Sequence, residues 1–459
     1  MWKKEFFDSL ENLGVPSHML KRSSIGFKEI WKPIMELFQQ RKIPEHGWND
    51  FQIRQLLDIL SHLDSDKDPR SIRIGEREGR ISSVILNEIS GGFCHGIGRS
   101  GELTAAQPKA AGASLMQNLT NIIVLSLIKS LGLPNIKTAL TIPFGTGMSI
   151  GMAMRGALNY HKIDIHEKPM VLMTQIDHKS PRKGIEYIGG ILKIIPGRYG
   201  KNYYSNEGVF TNIEEIKEIY HLNSNKISAI ISSTCFFAPR VPDNIKEIAK
   251  FAKKNEIIHI INNAYGLQTP ALLKLIRQSI DAGRIDAIVQ STDKNFLTPV
   301  GGAVITSPNT DLIKEISKSY AGRASASPVV QLLVSLLSMG KQGYLSRIEF
   351  QKENRTFLED SLLELANEFN EQIIECNNPV SCAMSLKNIK PEKIQDLGGI
   401  LYNLRVTGPR IINIHKDPFG SCTTEMKWPY VVMNAAIGVE KKHIFEAVDR
   451  LKRAIKQVK

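Results

Sequence analysis

The stretch QSTDKNFLTPVGGA, residues 290–303, places one lysine, Lys294, after an apolar run and just ahead of two glycines. A lysine there is either an ordinary solvated loop residue or an amine that captures an aldehyde cofactor as a Schiff base. Three other segments put polar groups directly after apolar runs. Gly145-Thr146-Gly147-Met148-Ser149 follows TALTIPF and opens a helical pattern, so it presents free backbone N–H groups and a hydroxyl to a phosphate. Taken alone, two glycines before a helix are more often simple turn chemistry. Asp177, His178, Lys179 and Ser180 follow MVLMTQI, and Asn262 and Asn263 follow IIHII. A phosphate cradle, a polar strand-end residue and, later in the chain, a strand-end lysine are what pyridoxal phosphate needs: an anchor, a ring contact and an imine.

A second set of residues is basic. Arg77 in GEREGR, Arg99 and Gln107 in HGIGRSGELTAAQPKAAG, and Arg323 in AGRASASP can together grip a phosphate, because a guanidinium fork matches its oxygens in pairs. Any one of these arginines taken alone is more readily a solvated surface group or a helix partner. The glycines on both sides of Arg99 leave a bare backbone that a ligand can approach closely.

These groups need a scaffold. Residues 1–70 read as a helical extension, with helical spacing in FQIRQLLDILSHL and a polar end, DSDKDPRS. From 71 to 330 short apolar runs (TALTIPF, MVLMTQI, ISAIISST, IIHIINN, DAIVQST, GGAVITS) alternate with helical segments such as NIKEIAKFAKKN. That alternation predicts a mostly parallel sheet covered on both faces, with ligands beyond the carboxyl ends of its strands. From 331 to 459 long helical patterns, a few strands and a basic amphipathic helix, HIFEAVDRLKRAIKQVK, read as a smaller α+β domain.

Composition narrows the class. The five cysteines are odd in number and form no C-x-x-C pair, which argues against a disulfide framework and a structural zinc site and fits a reducing cytoplasm. The first residues, MWKKEFFDSLENLG, lack a signal-peptide core, and no apolar run reaches the roughly 18 residues of a membrane span. With 59 Lys and Arg against 46 Asp and Glu, the net charge of +13 favours a polyanionic partner, nucleic acid among them.

GEREGR, HGIGRSG with QPKAAG, CFFAPRVPD, NNAYG, DKNF with PVGGA, and GRASASP resemble the motifs of the O-phosphoseryl-tRNA(Sec) selenium transferase family, from about residue 42 to the C-terminal helix. The resemblance implies a fold-type I pyridoxal phosphate-dependent transferase: α/β with a mostly parallel central sheet, an N-terminal helical extension and a small C-terminal α+β domain. It implies that Lys294 is catalytic and carries pyridoxal 5'-phosphate. Gly145, Thr146 and Gly147 would hold the cofactor with Asn262, and Arg77 would reach it as well. Arg77, Arg99, Ser100, Gln107, Lys179 and Arg323 would surround the substrate phosphate, with Arg323 supplied across a dimer interface. Lys42 and Arg410 would touch the tRNA. The implied reaction converts phosphoserine on tRNA(Sec) to selenocysteine by β-elimination of phosphate and addition of selenium from selenophosphate, in a cytoplasmic homotetramer without a metal. The rivals are another pyridoxal phosphate-dependent lyase, a cysteine desulfurase using Cys94 or Cys235, and a non-catalytic tRNA-binding scaffold. GGFCHG and STCFFAP set both cysteines in largely apolar surroundings, which suits buried thiols better than a persulfide carrier.

Overall fold

A computed structural model of the chain describes residues 9–10, 13–201, 207–414, 416 and 418–459. Its strands are β1 (Thr138–Ile142), β2 (Met170–Thr174), β3 (Ile191–Ile195), β4 (Gly197–Lys201), β5 (Glu207–Thr211), β6 (Ile227–Ser233), β7 (Ile258–Asn262), β8 (Ala287–Ser291), β9 (Ala303–Ser307), β10 (Ser381–Ser385), β11 (Arg410–Ile412) and β12 (Tyr430–Asn434). Seven form the central sheet in the order β1-β9-β8-β7-β6-β2-β3. It is parallel except for β9, which runs antiparallel to both β1 and β8. Every residue of β6, β7, β8 and β9 is buried, as expected of apolar runs covered on both faces. The helix Ile245–Lys254 shows how the cover works: Ile245, Ile248, Ala249 and Ala252 face inward while its lysines stay in water.

The order of strands brings the interesting loops to one edge. Ala303 of β9 pairs with Ile142 of β1 on one side and Ser291 of β8 on the other. The Gly145 and Lys294 loops therefore leave the sheet side by side. Asn262 ends β7 next to Val289 of β8, so its amide belongs to the same edge.

The helices Ser17–Gln40 and Asp50–Ser61 contribute Ile34, Leu37, Ile53, Leu56 and Leu60 to the main hydrophobic core, together with the sheet. The helix Ser327–Phe369 runs through position 331 with a kink at Gly340. Residues up to Ile348 pack in the main core, and those from Leu358 onward pack with β10, β12 and the helix Lys441–Val458. One contrary observation concerns the helix Ala111–Ser130, which is by length and composition apolar enough to cross a membrane. Gln117, Asn118 and Asn121 break up its apolar run in the sequence. In the fold Met116, Ile123, Val124, Leu127 and Ile128 bury its apolar side in the main core.

The segment CFFAPRVPD holds a structural ion pair. Arg240, 1% exposed, donates to Asp243 at 2.5 Å, to the carbonyls of Val209 and Val241 at 3.1 and 2.6 Å, and to that of Gln175 at 3.1 Å. Asp243 also accepts from the Ser233 and Thr211 N–H groups, at 2.8 and 3.3 Å. The pair thus ties the end of β6 to the loop after β2. Asp243→Ala leaves a buried guanidinium without its carboxylate, and is expected to cost about 3–5 kcal/mol in urea denaturation. A change under about 1 kcal/mol would show that the backbone carbonyls alone satisfy Arg240.

Candidate active site

Lys294 sits in a one-turn helix, Thr292–Phe296, that Leu297 ends in the left-handed conformation with φ 56°. Neighbouring side chains fix that turn. Asn295 Nδ2 donates to the carbonyls of Ala264 and Ser291, both at 2.8 Å, and its Oδ1 accepts from Leu267 N–H at 3.2 Å. Gln268 donates to the Lys294 carbonyl at 2.9 Å and accepts from Ile437 N–H at 2.9 Å, so it joins the lysine's backbone to the smaller domain. A lysine whose main chain is held this firmly has a fixed origin for its amine.

The amine borders a cavity of about 210 Å³ walled by His178, Phe236, Phe237 and Tyr265 from the larger domain and by Asn434 and Ile437 from the smaller one. Burial holds the Lys294 pKa below its ordinary 10.5, and the neighbouring Asp293 only partly offsets this. The neutral, nucleophilic form is correspondingly favoured. His178, which caps the helix Lys179–Tyr187 by accepting from Ser180 N–H at 3.1 Å, faces the same space. Loss of water at the cavity wall, then the charges of Lys294 and Arg410, keep its imidazole below the ordinary 6.5. It is therefore a neutral, flat group at physiological pH.

The residues present suit pyridoxal phosphate. Asn262 Oδ1 and Asn263 Nδ2 are buried at the sheet edge with no hydrogen-bond partner, and two orphaned amide atoms are costly unless something meets them. The helix Thr146–Tyr160 begins at Gly145 with no side-chain cap, which leaves its first N–H groups to an anion. Gly147 is buried and has no room for a Cβ against Ser180. That close approach sets the cradle against the helix carrying Lys179.

The basic residues gather elsewhere. Arg77 and Arg323 line a separate cavity of about 370 Å³ with Gly79, Phe93, His95 and Gly96. It shares no wall residue with the Lys294 cavity. Arg323 donates to the His95 carbonyl, while its buried Nε has no partner. Burial and then the charge of Arg77 hold its pKa below 12.5, and Glu78 partly offsets them. Arg99 and Ser100 are exposed in a tight turn that pairs the Arg99 backbone with Glu102 at 2.9 and 3.0 Å. Gln107 N–H donates to Ser114 Oγ at 3.1 Å. Lys179 is exposed at the first position of its helix.

Lys42 is exposed just after the helix Ser17–Gln40. Arg410, on β11, pairs with Asp177 and lies 4.5 Å over the ring of Phe237, a wall residue of the Lys294 cavity. Sequence reasoning passed over His178, although it stood in the strand-end segment DHKS, and it missed Gln268, Tyr265 and His95. Cys235 is buried, and burial raises its thiol well above the ordinary range, so it is no thiolate nucleophile.

Residues 63–456 match the family model for O-phosphoseryl-tRNA(Sec) selenium transferase, SepSecS. The chain is 40% identical over 444 residues to the O-phosphoseryl-tRNA(Sec) selenium transferase of Methanococcus maripaludis, covering 96% of this chain and 98% of that protein. The Dictyostelium discoideum protein of the same name is 36% identical over 481 residues, covering 97% and 99%. A crystal structure of an archaeal O-phosphoseryl-tRNA(Sec) selenium transferase superposes with a TM-score of 0.89 at 40% identity, covering 96% of this chain and 98% of that one. An Oryza sativa TDC solved with pyridoxal phosphate and tryptamine superposes at TM-score 0.60 and 10% identity, covering 96% and 99%, a likeness of fold alone.

Proposed function

Since the chain belongs to the O-phosphoseryl-tRNA(Sec) selenium transferase family, we propose that it converts O-phosphoseryl-tRNA(Sec) to selenocysteinyl-tRNA(Sec) with selenophosphate as selenium donor. The observation that carries the chemistry is the half-buried amine of Lys294, held at the carboxyl edge of the sheet with His178 on the same cavity, while orphaned amides end the neighbouring strand β7. Pyridoxal 5'-phosphate bound there would supply an electron sink for the bonds broken at the substrate's α-carbon. Lys294 would hold it, with the N-terminus of Thr146–Tyr160 at its phosphate and Asn262 and His178 at its ring.

The chain's own groups account for the rest. Lys294 Nζ, whose burial favours the neutral amine, takes the α-proton. Arg77 and Arg323, with Arg99, Ser100, Gln107 and Lys179, bind the seryl phosphate and stabilise it as it leaves with its electron pair. One chain keeps its arginine cavity apart from its lysine cavity, so the working site is completed by a second copy that brings its Arg323, together with the Arg77 that lines the same cavity, across an interface. The apolar residues Ile72, Ile74, Val84, Ile85 and Ile89, 65–89% exposed around the arginine segments, favour such assembly and with it a homotetramer. Lys42 and Arg410 contact the acceptor arm of the tRNA, and the protein works in the cytoplasm.

Purified protein supplied with phosphoseryl-tRNA(Sec) and selenophosphate is expected to yield selenocysteinyl-tRNA, and its absence would refute the reading. Binding of the tRNA should weaken by about tenfold or more between roughly 50 and 200 mM salt as phosphate contacts compete with counterions. A flat plot of log affinity against log salt would instead assign the +13 charge no part in tRNA binding.

A further inference from the structure

Beneath the arginine-lined cavity lie an imidazole and a carboxylate that the reaction does not use. His95 is 6% exposed and lines that cavity. Its Nε2 is 3.4 Å from Asp66 Oδ1, and neither atom has a hydrogen-bond partner. The other Asp66 oxygen accepts from Lys67 at 2.5 Å, and Lys67 also donates to the Gly92 carbonyl at 2.9 Å. Gly79, at φ +68°, covers the pair: a Cβ there would fall 2.7 Å from Asp66 Cβ and 3.1 Å from His95 Nε2. The His95 carbonyl accepts from Arg323, and two residues on, Ile97 N–H donates to the Ala324 carbonyl at 3.0 Å. His95 thus touches the Arg77 segment through Gly79 and the Arg323 segment through its own main chain.

The surrounding charges are balanced against protonation. Burial comes first and holds His95 below its ordinary 6.5; Asp66 and Glu78 pull the other way, while Arg323 and Lys109 add to the depression. Behind Asp66 stand Asp64 and Lys67, and behind Arg323 stands Arg77. A dianion seated on Arg77 and Arg323 cancels the opposing positive field, leaving Asp66 to favour the imidazolium.

We propose that the His95–Asp66 pair takes up one proton from solvent when a tetrahedral dianion binds between Arg77 and Arg323, drawing the 3.4 Å gap into a hydrogen-bonded ion pair that locks both arginine segments. His95 is then a positioning residue for the substrate phosphate, acting through Arg323. This rests on the reading that the cavity receives that phosphate. The bound state has the higher pKa, so the added affinity is complete below the free-state value, which lies under 6.5, and is lost as pH rises through the bound-state value.

Sulfate, whose charge is constant across the neutral range, is the probe. Calorimetric titration of the cofactor-loaded protein in buffers of different ionisation enthalpy should show uptake of about one proton per sulfate, with Kd rising toward tenfold per pH unit within the window. His95→Asn should bind sulfate without that slope, and Asp66→Asn should move the window to lower pH. A wild-type slope of zero, a slope that survives in His95→Asn, or an unmoved window in Asp66→Asn overturns the proposal. If His95→Asn does not fold, the wild-type proton count and the Asp66→Asn window decide it. Absence of sulfate binding, or binding indifferent to Arg323→Ala, overturns the phosphate clamp itself and this proposal with it.

Discussion

Lys294→Ala is expected to lower selenocysteinyl-tRNA formation by at least about a thousandfold, because it removes both the covalent attachment point and the group placed to take the α-proton. The fold should survive. The lysine is only partly buried and borders a cavity, so shortening it leaves no dry void, and the denaturation midpoint should shift by under about 1 kcal/mol. Its turn is held by Asn295 and Gln268 through backbone groups that the substitution leaves in place. The near-visible absorbance of lysine-bound pyridoxal phosphate should vanish from the purified variant together with the activity. A variant that keeps turnover near the wild-type rate would remove Lys294 from the chemistry. A variant that loses activity and unfolds would instead assign the lysine a structural part that the contacts do not show.

Arg323→Ala carries the next largest effect. Its guanidinium combines burial, the nearby positive charge of Arg77 and an Nε without a partner, an arrangement that an arriving phosphate completes. Losing it should cost about 2.7–4 kcal/mol of transition-state stabilisation, or roughly 100- to 1000-fold in kcat/KM. Arg77→Ala should fall short of that, since Arg77 is exposed and partnered by Glu76 at 3.2 Å. The same donors give specificity: a seryl hydroxyl leaves several of them unmatched, so the wild type should discriminate against unphosphorylated seryl-tRNA by a large factor. Equal turnover of the two charged tRNAs, or an Arg323→Ala enzyme within threefold of wild type, would dissolve the clamp.

The polar stretch DSDKDPRS illustrates what pattern reading cannot see. It reads as a boundary because it is charged and lacks periodicity. In the fold Asp64 is 1% exposed, and its Oδ1 accepts from Ala113 N–H at 3.1 Å at the start of the helix Ala111–Ser130. Burial, and then the charge of Asp66 against that hydrogen bond, raise its pKa to about 6. Burial of a carboxylate depends on partners far along the chain, and composition averaged over eight residues carries no trace of them. Arg410 makes the same point, since Asp177, its carboxylate partner, lies 233 positions away.

What the sequence determined by itself was local: the alternation of fully apolar runs with amphipathic helices, the glycines opening the Thr146 helix, the strand-end amides and the strand-end lysine. Each follows from side-chain periodicity and turn chemistry within a few residues, and together with the motifs they pointed to a parallel-sheet enzyme with Lys294 as its candidate amine. Only the tertiary structure decided the rest. The strand order β1-β9-β8 set the glycine cradle beside the lysine. Packing of the smaller domain brought Ile437 onto Gln268 and Asn434 into the cavity wall. The loops bearing Arg77, His95 and Arg323 met over a buried carboxylate. Those juxtapositions depend on long-range burial and on which polar groups find partners across the fold, free energies that no local spacing encodes.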